Sequence, residues 1–185
     1  MAKPKVKKRI ISVFGSGHIE ENFPEYQRAA LLGRVLAEHG FTICTGGYGG
    51  IMEAAPRGAK QVGGKTLGIV AKELGVTANR WIDRVRIERT WRERLMRLVD
   101  VADGFVVFDG GTGTLTELFI VWEMVNKRLI QKPIIIHGAS MVSFVRSLKK
   151  QRLVFFNDSL KIAPSPASVV DYLEDAFEEQ EAGER

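Results

Sequence analysis

The sequence predicts an α/β protein with a doubly wound, mostly parallel Rossmann-like sheet and helices on both faces of that sheet. Short apolar runs alternate with longer amphipathic segments along the whole chain, which is typical of successive βαβ units. The runs are largely continuous, as strands buried on both faces are. Glycine clusters at 15–17, 46–50 and 110–113 each follow such a run, so three strand ends are expected to share one ligand-binding rim.

The first half of the chain predicts three strands and two helices. Ile10–Phe14 is a short apolar run and predicts the first strand. Apolar residues recur at helical spacing across Pro24–Glu38, and Gly40 is placed to end that helix as its C-cap. Three further elements follow: a strand over 41–45, a helix over 51–62 that Gly63 and Gly64 stop, and a strand over 66–71.

The second half continues the alternation. Residues 72–80 are expected to form a loop and Ile82–Ile87 a short strand. The helix predicted over Thr90–Val101 has an apolar stripe, and Arg94 falls at the edge of that stripe. The remaining elements are strands over 104–108, 133–137 and 160–163 and helices over 114–127, 141–150 and 165–177, after which the chain is expected to fray.

Length and composition predict one globular domain. The chain has 185 residues, 45% of them hydrophobic and 26% charged, which suits a single domain over 10–178 between a basic tail, 1–9, and an acidic tail, 179–185. No apolar run is long enough to span a membrane, and the basic N-terminal segment lacks the apolar core of a signal peptide. The only cysteine, Cys44, cannot form an internal disulfide, so a reducing, cytoplasmic location is expected.

The net charge of +5 does not by itself indicate a nucleic-acid-binding protein. The basic tail supplies five positive charges, and the rest of the chain balances 22 basic against 22 acidic residues. Seven arginines against three acids are concentrated in residues 80–97, which fits a small anionic ligand or a solvated helix face. No aromatic-basic motif of the RNA-binding kind is present. Neither nucleic acid nor membrane is therefore expected as a partner.

Residues 109–117, Asp-Gly-Gly-Thr-Gly-Thr-Leu-Thr-Glu, are the clearest functional signal in the chain. They join a predicted strand to a predicted helix. Glycines let backbone N–H groups approach an anion, and a helix N-terminus adds donors and a partial positive charge, so this geometry binds phosphate. Together with the turns after the first two strands, the predicted phosphate- and nucleotide-binding residues are Gly15, Ser16, Gly46, Gly47, Gly110, Gly111, Thr112, Gly113 and Thr114.

Spacing decides between other interpretations of these motifs. Thr114 and Glu117 have the spacing of a capping box, which would account for both without a ligand but not for the three glycines. A dinucleotide fingerprint that starts at Gly15 would need glycine where Glu20 stands. Residues 64–66, Gly-Lys-Thr, match the end of a P-loop motif. They lie between a predicted helix and a predicted strand, however, whereas a P-loop runs from a strand to a helix. No His or Cys spacing indicates a metal site.

Arg94 and Glu117 together resemble the active-site pair of a known family. An arginine followed 23 residues later by the glutamate of Gly-Gly-Thr-Gly-Thr-x-x-Glu is similar to the LOG-type proteins. These are the cytokinin riboside 5′-monophosphate phosphoribohydrolases and their bacterial relatives, often labelled lysine decarboxylases. The segments 13–16 and 46–52 fit the same pattern, and the similarity extends over residues 10–140. Taken alone, Arg94 fits equally well as a surface residue with a buried stem.

The resemblance implies a Rossmann-like homodimer whose active site lies close to the dimer interface. It implies hydrolysis of the N-glycosidic bond of a nucleoside 5′-monophosphate, of the AMP or cytokinin riboside type, to a free base and ribose 5-phosphate. The family's catalytic arginine and glutamate fall on Arg94 and Glu117, with no cofactor and no metal. This is chemically coherent, because a carboxylate stabilises the oxocarbenium character that develops at the sugar. The sequence does not support the decarboxylase label, because no lysine lies in a recognisable pyridoxal-phosphate-binding context.

Two positions depart from the family pattern. Asp109 stands where the family has proline, which places a carboxylate next to the predicted phosphate site, and Leu95 stands where it has lysine. Close relatives with a similar glycine motif include a molybdenum-cofactor carrier. The alternative function is therefore a non-catalytic binding or carrier protein for a phosphorylated ligand, either a nucleotide or the molybdenum cofactor.

Overall fold

A computed structural model shows the fold for residues 8–75, 77–153 and 160–183. Residues 1–7 of the predicted basic tail and residues 184–185 of the predicted acidic tail lie outside these ranges. The strands are β1 (Ile10–Phe14), β2 (Thr42–Thr45), β3 (Thr66–Ala71), β4 (Arg84–Glu88), β5 (Gly104–Val107), β6 (Ile134–Ile136) and β7 (Leu160–Ile162). The α-helices are α1 (Pro24–Glu38), α2 (Ile51–Gln61), α3 (Trp91–Val101), α4 (Thr112–Asn126), α5 (Ala139–Lys150) and α6 (Pro166–Gly183).

The sheet is parallel throughout, with the strand order β4-β3-β2-β1-β5-β6-β7. The chain moves outward from β1 to β4, returns to the centre, and moves outward again on the other side from β5 to β7. The predicted doubly wound, Rossmann-like α/β fold is therefore confirmed. The direction of winding reverses between β1 and β5, and ligands of such folds bind beyond the carboxyl ends of the strands at this point.

Two layers of helices cover the sheet and bury it on both faces. Helices α1, α2 and α6 pack on one face around residues such as Ile11, Leu32 and Leu173. Helices α3, α4 and α5 pack on the other face around residues such as Leu98 and Phe105. This double burial explains the continuous apolar runs in the sequence. None of the described helices is long and apolar enough to cross a membrane.

The largest departure from the predicted elements is at the C-terminal end. Helix α6 continues to Gly183, so the prediction that the chain frays after 177 was wrong for residues 178–183. The guanidinium of Arg9 lies 2.8 Å from the Glu181 carboxylate and 4.6 Å from the ring centroid of Phe177, which holds this end against the domain. Arg9 was assigned to the basic tail, but it is only 9% exposed and belongs to the packed structure.

The region between β3 and α3 also differs from its prediction. The loop predicted over 72–80 contains one turn of 3-10 helix at Lys72–Leu74. The strand predicted over 82–87 forms two residues later, as β4, and lies at the edge of the sheet. Because an edge strand has a neighbour on one side only, Val85 and Ile87 remain 49% and 68% exposed.

Candidate active site

The three glycine-rich turns meet at the carboxyl ends of β1, β2 and β5. The backbone N–H of Ser16 donates to the carbonyl of Asp109 over 3.0 Å, and the N–H of Ile51 donates to the carbonyl of Ser16 over 2.8 Å. The turn after β1 is thus hydrogen-bonded to segments that follow both other strands. The structure brings the predicted binding residues together at the switch point of the sheet.

Arg94 and Glu117 face each other beside these turns. Arg94 comes from α3 and Glu117 from α4, and they are 4% and 9% exposed. Nη1 of Arg94 lies 3.9 Å from Oε1 of Glu117, which is close enough for attraction in a desolvated site but beyond hydrogen-bond distance. Arg94 is therefore not a surface residue with a buried stem. It offers charge to Glu117 without occupying the carboxylate as a hydrogen-bond acceptor.

The guanidinium of Arg94 is enclosed by its neighbours. Its Nε donates to the carbonyl of Ile69 over 2.8 Å, and its central carbon lies 5.0 Å from the ring centroid of Tyr48. A Cβ at position 46 would collide with Nη2 of Arg94. Gly46 is therefore needed to admit Arg94, and its predicted contact with a phosphate stays a prediction.

Glu117 has an unusual proton affinity for a carboxyl group. Burial raises the pKa of Glu117 to about 7, and the positive charge of Arg94 acts in the opposite direction with a smaller effect. Both the carboxylate and the carboxylic acid are therefore populated near neutral pH. A carboxyl group poised in this way can stabilise a developing positive charge and can also exchange a proton with a substrate.

Glu117 should make the stability of the protein depend on pH. Its pKa is about 7 in the folded protein against an ordinary 4.5, so folding favours the protonated form. The resulting stabilisation is complete below pH ~4.5 and is lost as the pH rises through ~7. Relative to Glu117→Gln, which cannot ionise, the wild type should lose ~3 kcal/mol of unfolding free energy between pH ~4.5 and ~8. Urea unfolding of both proteins at the two pH values measures this, and a constant difference would contradict the expectation.

The first turn of α4 is accessible to a ligand. This helix begins at Thr112, with Gly111 as its N-cap and no side-chain cap. Apart from its chain neighbours and the backbone of the helix itself, a Cβ at Gly111 or Gly113 would meet no heavy atom of the described residues within 4 Å, whereas one at Gly110 would collide with the side chain of Thr114. Gly110 is therefore required by packing, and its predicted contact with a phosphate stays a prediction. The open space at Gly111 and Gly113 leaves room for an anion to approach the N–H donors of the first turn.

The capping box that the spacing of Thr114 and Glu117 allowed as an alternative does not form. Helix α4 starts two residues earlier than predicted, so both side chains lie inside the helix, where both are buried. A capping box is found instead at the start of α3. There the Thr90 hydroxyl accepts from the N–H of Glu93 over 3.2 Å, and the Glu93 carboxylate accepts from the N–H of Thr90 over 2.9 Å. Glu117 has no capping role to compete with a function at the site.

The fold accommodates both departures from the family pattern. Oδ1 of Asp109 accepts a hydrogen bond from the N–H of Met141 over 2.7 Å, so this carboxylate caps the first turn of α5 rather than that of α4. Leu95 is 4% exposed and is one of the buried apolar residues of α3. Asp109 is thus engaged by a different helix from the one that carries the predicted phosphate site.

Sequence reasoning missed two residues beside Arg94 and one that holds the neighbouring turn. These are Tyr48, Met52, whose sulfur lies 3.7 Å from Nη2 of Arg94, and Asn79, which donates to the turn after β2. The position of Tyr48 inside the glycine cluster 46–50 could have identified it. Asn79 lies in the predicted loop and carries no motif, so no sequence signal pointed to it.

The fold and the site define a Rossmann-like protein of the LOG class, with a buried arginine–glutamate pair beside a glycine-rich helix start. Residues 8–161 match the model of the SLOG cluster4 family. The chain therefore belongs to the SLOG cluster4 family, and the resemblance to LOG-type proteins is confirmed.

Relatives and solved structures agree with this family. A protein of Archaeoglobus fulgidus without an assigned function is 32% identical over 131 residues, which cover 69% of this chain and 83% of that protein. The cytokinin riboside 5′-monophosphate phosphoribohydrolase of Mycobacterium tuberculosis is 36% identical over 97 residues, 51% of this chain and 52% of that enzyme. This chain thus spans about half the length of the mycobacterial enzyme. The molybdenum cofactor binding protein of Rippkaea orientalis superposes with a TM-score of 0.76 at 26% identity, covering 93% of this chain and 99% of that one.

Proposed function

We propose that this protein hydrolyses the N-glycosidic bond of a nucleoside 5′-monophosphate, of the AMP or cytokinin riboside type, to a free base and ribose 5-phosphate. The observation that carries the proposal is the buried pair of Arg94 and Glu117 near the accessible start of α4. The activity in the name of the mycobacterial relative supports the same reaction for this chain.

In the proposed mechanism, binding of the 5′-phosphate orients the substrate. Backbone N–H groups of residues 111–114 bind the 5′-phosphate at the positive end of α4. Glu117 lies about one turn further along this helix, so the bound ribose is held next to its carboxyl group. Fixing the sugar in this way lowers the barrier, because the reacting groups no longer have to find each other.

Glu117 then serves both the sugar and the proton. When the bond between C1′ and the base nitrogen breaks, the bonding electron pair leaves with the base. The ionised carboxylate of Glu117 stabilises the positive charge that develops at the sugar. A water molecule adds to C1′, and its proton passes through Glu117 to the departing base. Arg94 opposes the rise in the pKa of Glu117 and so keeps part of the population ionised at neutral pH.

A screen of substrates tests the proposal. The purified protein is incubated with a panel of nucleoside 5′-monophosphates, including AMP and isopentenyladenosine monophosphate, and free base is measured by chromatography. We expect base release from at least one monophosphate and much slower release from the matching nucleoside, because the nucleoside lacks the group that α4 binds. Absence of release from every monophosphate would rule the proposal out.

A second candidate function is a carrier of a phosphorylated ligand, such as a nucleotide or the molybdenum cofactor. The similarity over almost the whole length of the Rippkaea orientalis molybdenum cofactor binding protein favours it. A carrier would use the start of α4 to hold phosphate and would leave Glu117 without a chemical step. Stoichiometric binding of AMP in equilibrium dialysis, with no base released, would support the carrier over the hydrolase.

We also propose that the protein is a homodimer formed through the outer face of α4. Most of the surface of this face is apolar, although the opposite face of the same helix is in the core, and a helix with apolar residues on both sides is typically covered on both. Its groove is continuous with Thr112 at the predicted phosphate site. The groove is lined by Thr112, Leu115, Thr116, Phe119, Ile120, Glu123, Met124, Lys127 and Leu129.

A negative charge introduced on the outer face of α4 should dissociate the proposed dimer. Phe119 is 40% exposed, and Phe119→Glu would place a carboxylate in the proposed interface, where it could not be solvated. We expect sedimentation velocity to show a dimer for the wild type and a monomer for this variant. The matched control is Leu31→Glu, at a residue that is 50% exposed on α1, across the sheet, and this variant should remain dimeric. A wild type that sediments as a monomer would contradict the proposal.

We propose no role in nucleic-acid binding. The arginines concentrated in residues 80–97 are in large part paired with acids. Arg86 and Arg97 both lie within 2.9 Å of the Glu88 carboxylate, and Arg89 lies 3.4 Å from that of Glu93. Such pairing reduces the excess charge available to a phosphate backbone.

A further inference from the structure

We infer that Tyr48 is a positioning residue of this site: its ring supports the guanidinium of Arg94 opposite Glu117, and Asn79 holds the turn that carries it. Neither residue belongs to the motif at residues 109–117 or to the proposed catalytic pair. The expected effect on kcat rests on the proposed function. The effect on the position of Arg94 can be measured without any substrate.

The ring of Tyr48 is held against Arg94 by β3. Its centroid lies 5.0 Å from the guanidinium carbon, within the range of a cation–π interaction, which is stronger where water is excluded. The hydroxyl oxygen of Tyr48 accepts a hydrogen bond from the N–H of Ala71 over 3.0 Å. The same strand provides the carbonyl of Ile69 that accepts from Nε of Arg94. The tyrosine ring and the guanidinium are therefore both held in place by hydrogen bonds to the backbone of β3.

Asn79 fixes the backbone of the turn between β2 and α2. Its side-chain amide donates to the carbonyls of Gly47 and Tyr48 over 3.0 and 2.8 Å, and its backbone N–H also donates to Gly47, over 2.7 Å. Its Oδ1 accepts from the N–H of Trp81 over 3.0 Å, which determines which end of the amide points to the turn. Glycine-rich backbone has little conformational preference of its own, so side chains must hold this turn. Asn79 does so together with the Thr45 hydroxyl, which accepts from the N–H of Gly47 over 3.1 Å.

These contacts decide where the charge of Arg94 is placed. Nη1 of Arg94 makes no hydrogen bond to Glu117, because the two nearest atoms are 3.9 Å apart. A hydrogen bond to Glu117 therefore does not fix the position of the guanidinium. Its position is fixed by the Tyr48 ring and the Ile69 carbonyl, and Gly46 leaves the space that it occupies. Without the ring, Arg94 can adopt other rotamers, and Glu117 then loses part of the charge that opposes the rise in its pKa.

Two substitutions at position 48 separate the ring from the hydroxyl. Tyr48→Leu removes the aromatic face, whereas Tyr48→Phe keeps it and loses only the hydrogen bond from Ala71. With AMP or another substrate from the screen, Tyr48→Leu should lower kcat about 10-fold to 30-fold. Its KM should stay within about twofold of the wild type, since the phosphate is bound by α4. Tyr48→Phe should retain most of the activity.

A titration of Glu117 provides a readout that does not need turnover. The side-chain carboxyl signal of Glu117, assigned by comparison with Glu117→Gln in carbon-13-labelled protein, is followed by NMR across pH. We expect a higher pKa for Glu117 in Tyr48→Leu than in the wild type, and a value close to the wild type in Tyr48→Phe. Asn79→Ala should change both readouts in the direction of Tyr48→Leu, and it replaces that variant if Tyr48→Leu does not fold.

The outcomes distinguish this inference from the proposed function. If the wild type releases no base but Tyr48→Leu raises the pKa of Glu117, the proposed function fails and the positioning role stands. If base is released but neither Tyr48→Leu nor Asn79→Ala changes kcat or the titration of Glu117, the positioning role is overturned and the proposed function stands.

Discussion

Glu117→Gln is expected to reduce the release of free base by about 10²-fold to 10⁴-fold. The glutamine side chain has nearly the same shape and size as the native one, but it carries no negative charge and cannot take up a proton. Glu117 is buried opposite a cation, in surroundings where an electrostatic contribution to the transition state is large. The measurement is the initial rate of base release with the best substrate from the screen. The turn of α4 that is proposed to bind the phosphate is unchanged, so KM should change little.

Glu38→Gln is the matched control for this experiment. Glu38 lies on α1, across the sheet, where its side chain is 43% exposed and pairs with Arg34 on the surface. The same chemical change there should leave the rate within about twofold of the wild type. Retention of more than about a tenth of the wild-type rate by Glu117→Gln would remove this carboxyl group from the chemistry. Tight AMP binding by both proteins without turnover would instead favour the carrier.

Gly46→Ala is expected to have the second largest effect, because it displaces Arg94. The added methyl group would overlap Nη2 of Arg94 and the sulfur of Met52. Met52 is flexible and can move, but Arg94 is held by the Ile69 carbonyl. We expect a loss of ~1–3 kcal/mol of unfolding free energy from overpacking. We also expect a fall in kcat of about 10²-fold, since small displacements of catalytic groups have effects of this size.

A double-mutant cycle identifies the collision with Arg94 as the cause. In the Arg94→Ala background the guanidinium is gone, so Gly46→Ala should destabilise the protein by at least ~1 kcal/mol less than in the wild type. Urea unfolding of the four proteins measures this coupling. Equal costs in both backgrounds would show that Gly46 is required for a different reason, such as its backbone conformation or a ligand contact.

The local patterns of the chain were sufficient to predict the strand and helix order and the meeting of three glycine turns. They failed where a distant residue intervenes. Helix α6 is longer than its own sequence indicates, and Arg9, 172 positions away in the chain, pairs with Glu181 in the added segment. The spacing of Thr114 and Glu117 also allowed a capping box, yet the helix starts at Thr112, and spacing alone cannot locate an N-cap.

By itself, the sequence determined the parallel α/β architecture and identified Arg94 and Glu117 as a pair worth testing. Periodicity and glycine turns are local properties, and the spacing of a motif is read directly from the chain. Only the tertiary structure decided that both side chains are buried 3.9 Å apart, that Asp109 caps α5, and that Tyr48 lies beside Arg94 in a turn that Asn79 binds. The pKa of Glu117, raised to about 7, follows from that burial. Desolvation and charge placement depend on which distant segments pack together, and no local pattern encodes that.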